Sequence, residues 1–293
     1  MAINGRRGLG DFRYFVWRSS SKREMMTEDL KFLAFETSTD MMSVALSRGA
    51  QTWHHQGVGG ANASAQLIPA IQNLLSQAEM SLNELTALVI GQGPGSFTGL
   101  RTACSVAQGL ALGANLKVIP VDTLMLVAED ARAQLESSTA VGRRGFRVGV
   151  VMDARMSEVY AGAYEWQANA HQWQTLLPLQ VGPPEAAVEN LCELMGSHFV
   201  LAGNGLEVYK DRLNLKTLQG EEQHVACTSA MPQANALLRL APVLWRNGGA
   251  VLPELVQPLY IREKVAQTTV EREAIKVAKA FLNDAVNSQS EGT

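Results

Sequence analysis

The order of apolar segments repeats once along this chain, and this repeat constrains the fold more than any other feature. In the first half, three short strands are predicted in KFLAFETS, MSVALS and AQTWHHQ, with Arg48-Gly49 as a hairpin signal. An amphipathic helix over 64–78 follows, because its leucines and isoleucines recur at helical spacing. The strand LTALVIGQG, a Gly-rich turn, a second helix and the strand LKVIPV complete the unit.

The second half shows the same order of elements. FRVGVVMDARMSEVYAGAYEWQANAHQWQTLLP contains three predicted strands, and PPEAAVENLCELMG supplies a helix before the strand HFVLAGNG. Glu36, at the end of the first strand, corresponds to Asp153 in this second unit. Two such units predict a duplicated α/β fold with two lobes of mixed sheets flanked by helices, the actin-like ATPase or ribonuclease H-like plan. That plan binds a nucleotide between its lobes.

Four segments are expected along the chain. The first lobe is predicted over 29–140 and the second over 145–262. A basic extension without ordered structure is expected over 1–28, and two readings of it stay open: an arm that touches RNA, or translation that starts at Met25 or Met26. A tail with an amphipathic helix is expected over 263–293, because apolar residues from 275 to 285 recur at helical spacing.

Composition narrows the functional classes. The chain has 293 residues, of which 46% are hydrophobic, and its net charge is −3. A general electrostatic attraction of the whole surface for nucleic acid is therefore not expected. The three cysteines are isolated, which disfavours both a disulfide framework and a zinc site and indicates a reducing compartment. No apolar run approaches the roughly 20 residues that cross a bilayer. A cytoplasmic protein without a membrane partner is therefore expected.

The Gly-rich turn GQGPGSFTGLR has two interpretations. Its glycines permit unusual backbone torsions, Ser96 or Thr98 can cap the helix that follows, and a helix N-terminus favours an anion. A nucleotide or phosphate site is then predicted from the residues of two turns and one cation: Thr37, Ser38, Thr39, Gly93, Gly95, Ser96 and Arg101. The alternative is a tight strand-to-helix corner with no ligand. The turn lacks both the GKS or GKT of a Walker loop and the GxGxxG spacing.

The helix after this turn is rich in small residues. Between 102 and 114, Ala, Gly, Ser, Thr and Cys alternate with Val and Leu, so almost no face of the helix is suited to water. Either the fold itself buries this helix on several sides, or a subunit interface covers part of it.

Five motifs together resemble one family. They are FLAFETST, GQGPGSFTGLRTACSVAQGLA, VDTL, MDARMSEVYAGAY and QPLYIREKVAQ, and the chain over 30–267 is similar to the TsaB (YeaZ) family of bacterial tRNA threonylcarbamoyladenosine biosynthesis. The resemblance implies an actin-like fold and a non-catalytic subunit that binds and activates the catalytic homologue TsaD. With the ATPase TsaE, that complex transfers a threonylcarbamoyl group to the adenosine beside the anticodon of tRNA.

The resemblance also implies a partner surface. In the family, two helices of the first lobe pack against the partner's equivalent pair as a four-helix bundle, and these match 64–78 and 98–113 here. The same face would form a homodimer in isolation, so the two assemblies should compete. The expected interface residues are Leu67, Ile71, Leu74, Leu75, Ala103, Val106, Ala107 and Leu110. Many relatives carry a His and a charged residue where this chain has Ala-Ser-Ala-Gln at 63–66, which leaves no polar contact expected there.

The histidines support a non-catalytic reading. The catalytic relative binds its metal through a helical His-x-x-x-His pair, and none of the five histidines here has that spacing. No metal, no catalytic residue and no intrinsic cofactor are expected, with ATP or ADP only at the partner interface. Two alternatives remain: a nucleotide-dependent phosphotransferase, and a glycoprotease-like peptidase with Ser96 as its nucleophile.

Overall fold

The first of two sheets is built from the N-terminal part of the chain. In the computed structural model, which describes residues 29–135, 146–213, 226–228 and 230–261, this sheet has five strands in the order β3-β2-β1-β4-β5. β1 pairs antiparallel with β2 and parallel with β4, so the sheet is mixed. The strands are β1 (Lys31–Glu36), β2 (Met41–Arg48), β3 (Gln51–Val58), β4 (Ala87–Gly93) and β5 (Lys117–Asp122).

The second sheet repeats this topology. Its strands are β6 (Phe146–Asp153), β7 (Val159–Gln167), β8 (Gln172–Gly182), β9 (Val200–Ala202) and β10 (Ala226–Thr228). They lie in the order β8-β7-β6-β9-β10, which is the first sheet's order strand for strand. β6 pairs antiparallel with β7 and parallel with β9, as β1 does with β2 and β4. The predicted duplication and the two-lobed α/β fold are confirmed.

Helices separate and cover the two sheets. They are α1 (Ala63–Gln77), α2 (Phe97–Ala114), α3 (Thr123–Leu135), α4 (Pro184–Met195), α5 (Gly205–Val208) and α6 (Ala234–Arg246). α1 and α2 pack on the outer face of the first sheet, and α4 and α5 on the outer face of the second. α3 lies between the sheets, because Leu126 packs into the core of the first and Val127 into that of the second.

α6 follows the second sheet in sequence but belongs to the first sheet in space. Leu237 and Leu240 pack with Phe32 and Val89 on the inner face of the first sheet. The predicted second lobe, 145–262, therefore does not describe where α6 packs. The expected extension (1–28) and the expected tail (263–293) lie outside the described residues.

Residues 251–261, termed the return segment, run beside α2 after α6 ends. The segment pairs with the free side of β5, where Val251 N donates to Val118 O at 2.8 Å and Val118 N donates to Val251 O at 3.0 Å. Near the middle of α2, Gln108 Nε2 donates to Val256 O at 2.9 Å. This packing covers the edge of β5 and one flank of α2.

Within the ranges that the structure describes, no helix combines the length and apolar character that crossing a bilayer requires.

Buried polar contacts join the two lobes. Tyr164 on β7 donates its hydroxyl hydrogen to Asp122 at the end of β5. Burial raises the pKa of both groups. On α3, Glu129 is fully buried and accepts hydrogen bonds from Arg132, Arg239 and Trp173, which lie on α3, α6 and β8. A buried charge is tolerated only when it is paired in this way, so these contacts fix the lobes relative to each other.

Candidate functional site: an inter-lobe cleft and a charge-poor helical face

The Gly-rich corner between β4 and α2 packs directly on the turn between β1 and β2. A methyl group added at Gly91 would overlap the carboxylate of Glu36, and one added at Gly99 would overlap the carbonyl oxygen of Thr37. At Gly95 the added carbon would lie 2.5 Å from Ser38 Cβ. These three glycines are therefore required because another backbone or side chain occupies the space of a Cβ.

Hydrogen bonds join the same two turns. Ser96 N donates to Ser38 O at 2.7 Å, and Thr37 Oγ1 donates to Gly99 O at 2.8 Å. Ser96 is the N-cap residue of α2, but its side chain makes no capping hydrogen bond. The first turn of α2 is thus used to hold the β1–β2 turn, and the N–H of Ser96 already has a partner.

Glu36 is buried beneath this corner. Its Oε1 accepts a hydrogen bond from Ser38 N, while within the described residues Glu36 Oε2 and Ser38 Oγ have no hydrogen-bond partner. Burial raises the pKa of Glu36, and the nearby Ser38 hydroxyl offsets part of this rise without reaching hydrogen-bond geometry. Cys104 on α2 lies in the same region, where burial raises the pKa of its thiol to about 11. The site is a poor one for a charged catalyst.

A cleft between the lobes opens beside this corner. It has a volume of about 360 Å³, and four of the predicted nucleotide-site residues line it: Ser38, Thr39, Gly95 and Ser96. The other three lie elsewhere. Thr37 is fully buried beneath the turn, Gly93 is buried with its N–H donated to Thr123 Oγ1, and Arg101 is absent from the lining. The structure therefore brings together part of the predicted set.

Arg101 contacts two aromatic side chains at the mouth of the cleft. Its guanidinium lies 4.0 Å from the ring centroid of Phe97, and its Nε donates to the hydroxyl of Tyr260 at 3.0 Å. The rings of Phe97 and Tyr260 stack with their centroids 4.6 Å apart. Arg101 thus holds the return segment against the start of α2.

Three charged residues that line the cleft form a chain across it. Arg155 lies between the lobes, 3.5 Å from Asp40 Oδ2 and 3.6 Å from Asp153 Oδ2. Asp153 also accepts a hydrogen bond from the Tyr209 hydroxyl at 2.8 Å. Asp40 and Arg155 were not predicted from the sequence, because separate lobes supply them.

The turn that carries Arg155 has an uncommon backbone. Arg155, Met156 and Ser157 have φ values of 62°, 56° and 62°, so three consecutive residues other than glycine adopt the left-handed conformation. Each such residue costs about 1–2 kcal/mol. The DARMSEVY motif encodes this turn, a feature that no periodicity in the sequence indicates.

The eight predicted interface residues lie mostly in the core of the first lobe. Six of them are buried against the sheet: Leu67, Ile71, Leu74, Leu75, Ala103 and Ala107. Val106 and Leu110 are partly buried at the rim of that core. In this conformation a partner that docks on α1 and α2 would meet the opposite face of the helices.

That opposite face, termed the docking face, is partly apolar and carries a single charge, Arg101 in the first turns of α2. Ser105, Gly109 and Gly113 lie one turn apart on the exposed side of α2, and nothing lies within 4 Å of a Cβ added at either glycine. Ile68 of α1 is 42% exposed, and Leu112 of α2 is 65% exposed. α1 has no charged residue in its 15 positions, and α2 has only Arg101 in its 18. Loss of charge is typical of the centre of a protein interface.

The candidate metal ligands do not cluster. Within the described parts of the chain, no three His, Cys, Asp or Glu side chains come close enough together to hold a metal ion.

Comparison with known proteins places this architecture among tRNA-modification proteins. A family model described as TsaD, tRNA N6-adenosine threonylcarbamoyltransferase, matches residues 50–270. The tRNA threonylcarbamoyladenosine biosynthesis protein TsaB of Haemophilus influenzae is 30% identical over 244 residues, which cover 81% of this chain and 96% of the relative. The Escherichia coli protein of the same name is 33% identical over 239 residues, with the same coverage of both chains. Among solved structures, YeaZ from Pseudomonas aeruginosa has a TM-score of 0.65 and 31% identity, and the match covers 79% of this chain and 99% of that one.

Proposed function

Because this chain belongs to the TsaB (YeaZ) family and takes part in tRNA threonylcarbamoyladenosine biosynthesis, we propose that it is the non-catalytic subunit that binds and activates the TsaD homologue of its organism. The observation that carries this proposal is the docking face. Two adjacent helices expose a surface with small residues at its centre, isolated large apolar residues around it and a single charge over their full length.

Small residues suit this role for a geometric reason. Ser105, Gly109 and Gly113 follow one another at four-residue spacing, so another helix can approach the backbone of α2 closely. Ile68 and Leu112 can then pack into the partner helices, and Arg101 is the one charge along the two helices that would have to be desolvated. A second copy of the chain would use the same face, so a homodimer in isolation and the heterodimer with the TsaD homologue exclude each other.

The cleft supports a role without turnover. A phosphotransferase of this fold needs the β1–β2 turn to bind a phosphate. Here the Gly-rich corner packs on Ser38, and Ser96 N already donates its hydrogen bond to Ser38 O. Glu36, at the end of β1, is buried with a raised pKa and does not line the cleft. For a peptidase, Ser96 needs a base, and among the described residues that line the cleft none is His or Lys. Both alternatives are therefore less well supported than the subunit role.

The remaining partners follow from the complex. We propose that TsaE and tRNA bind the assembled complex and not this subunit alone, and that ATP or ADP binds at the partner interface. The described residues offer no cluster of metal ligands for a separate chemistry.

A reconstituted reaction tests the proposal. The full chain alone should give no threonylcarbamoyladenosine on tRNA, and its addition to the TsaD homologue with TsaE and activated threonylcarbamoyl donor should raise product formation at least tenfold. Gly109→Arg should abolish the stimulation, because it places a long charged side chain at the centre of the docking face. Turnover by the chain alone, or full stimulation by the Gly109→Arg protein, would refute the subunit role.

A further inference from the structure

We propose that the free edge of β3, with the groove beside it, binds an extended acidic segment of a partner protein. β3 is the outermost strand of the first sheet, and no strand of the described residues pairs with its outer side. Such an edge presents a row of N–H and C=O groups to any extended chain, which can add to the sheet as a further strand.

The register shows which backbone groups of β3 point outward. Arg48 and Gln51 face each other across the two-residue turn at 49–50, so they form a hydrogen-bonded pair. Because bonded and non-bonded pairs alternate in an antiparallel ladder, the N–H and C=O groups of Thr52, His54 and Gln56 point away from β2. An incoming strand would pair with these three residues.

This edge lacks the features that usually block strand addition. The eight residues of β3 include no Asp, Glu, Lys, Arg or Pro, and its ladder with β2 runs through eight consecutive pairs without a bulge. β8, in the equivalent position of the second sheet, contains Pro178, and its ladder with β7 has two register shifts. Proline and bulges protect sheet edges. One of two equivalent edges is thus protected and the other is open.

The open edge adjoins a groove of about 860 Å³. Thr52 and His54 line one wall of this groove, because side chains two residues apart share a face of the strand. The other wall is one face of α6, formed by Asn235, Arg239 and Arg246. A strand added to β3 would direct alternate side chains toward this groove.

The charge of the groove indicates the occupant. Arg246 is exposed and has no ion-pair partner among the described residues, whereas Arg239, whose side chain is 35% exposed, is already paired with Glu129 at 2.7 Å. The carboxylate of the groove, Asp29, is already 3.7 Å from Lys31 Nζ. The charge left to attract a ligand is that of Arg246, so a carboxylate fits. The β3 strand of a second copy carries no carboxylate, which favours an acidic segment of another protein.

Peptide titration with the full chain tests this inference. The probe is a capped eight-residue peptide of alternating Thr and Glu, matched to the length of β3, and its control has Lys in place of Glu. In isothermal titration calorimetry the Glu peptide should bind at least tenfold more tightly than the Lys peptide. Arg246→Glu should remove that preference. His54→Pro should weaken binding of the Glu peptide about tenfold, since it deletes an outward N–H and no β2–β3 bond.

Two controls keep the result unambiguous. Gly109→Arg, on the other side of the first sheet, should leave peptide binding unchanged, so a failed docking face and a failed β3 edge give different results. Thermal unfolding verifies that each variant is folded. If His54→Pro does not fold, the surface variant Arg246→Glu still tests the inference. The inference is overturned by undetectable binding of the Glu peptide, by equal binding of both peptides, or by homodimerisation that His54→Pro abolishes.

Discussion

The two lobes share one sheet topology and differ in what their helices expose. On the first lobe, α1 and α2 carry one charge between them, and the small residues Ser105, Gly109 and Gly113 lie along the exposed side of α2. On the second lobe, α4 has Glu185, Glu189 and Glu193 within 12 residues, as expected of a helix that faces water. The sheet edges differ in the same sense, since β3 is open and β8 is protected. The two lobes therefore have similar backbones, and the surface of the first lobe is the better suited to binding a partner protein.

The turns at the centre of the lobes differ as well. In the first lobe, Glu36 points into the core and the Gly-rich corner covers its turn. In the second, Asp153 lines the cleft and a strained left-handed turn follows it. Both turns border the cleft, but the carboxylate that ends the first strand is buried beneath the corner in the first lobe, whereas in the second lobe it lines the cleft. The predictions below test this difference and the contacts between the lobes.

The largest expected effect is at Gly99. Gly99→Ala should lower the free energy of unfolding by about 3 kcal/mol, because the new methyl group overlaps the carbonyl of Thr37 and the corner must move. Gly109→Ala in the same helix has open space around it and should stabilise the protein by up to about 1 kcal/mol. Urea denaturation of both variants measures the difference. Equal effects would show that the corner is not tightly packed.

A smaller loss is expected between the lobes. Tyr164→Phe removes the hydrogen bond to buried Asp122 and should lower the free energy of unfolding by about 1–3 kcal/mol. Tyr209→Phe removes a hydrogen bond to Asp153 within the second lobe, at a less buried position, and should cost under about 1 kcal/mol. Thermal unfolding ranks the two variants. The reverse order would mean that the lobes are not held by this contact.

The buried carboxylate of Glu36 should make stability depend on pH. Its pKa is raised in the folded state, so the folded protein holds a proton that the unfolded chain releases above about pH 4.5. Stability therefore falls as the pH rises above that value, by about 1.4 kcal/mol for each unit of pKa difference. Glu36→Gln should flatten this fall, while Asp122 and Asp130, whose pKa values burial also raises, keep part of it. Urea denaturation from pH 4.5 to 8 measures it, and an unchanged slope would contradict the buried, proton-holding Glu36.

The smallest effect is expected in the left-handed turn. Ser157→Gly should raise the free energy of unfolding by up to about 1 kcal/mol, because glycine adopts a positive φ without steric cost. The same substitution at Ser105, in the middle of α2, should lower it by about 0.5 kcal/mol. Opposite signs in chemical denaturation are the expected result. A loss at both sites would mean that residues 155–157 carry no strain.

The sequence predicted the fold well and the site in part, for identifiable physical reasons. Strand and helix periodicity reports which residues are buried, so the duplicated order of elements and α1 were predicted closely. The same signal does not separate an interface from the core, and the interface residues were expected from the resemblance instead. Leu67, Ile71 and Ala107 recur at helical spacing because they face their own sheet. The better signal for the docking face is the absence of charge over two consecutive helices.

Contacts between distant segments could not be predicted. The glycines of the corner were visible in the sequence, but they are required because the corner packs on the β1–β2 turn. That turn lies about 60 residues earlier in the chain, as the hydrogen bond from Thr37 to Gly99 shows. Arg155 and Asp40 meet only because the lobes face each other. The residues of α6 fell within the range predicted for the second lobe, yet the helix packs on the first sheet. Periodicity carries no information about such long-range pairing.

Sedimentation velocity with the TsaD homologue tests the central claim most directly. The wild-type chain and Glu189→Arg, on the exposed face of α4, should both form a one-to-one complex, whereas Gly109→Arg should remain unbound at the same concentrations. That result would place partner recognition on the first lobe. A Gly109→Arg protein that binds like the wild type, or a Glu189→Arg protein that does not bind, would contradict the account.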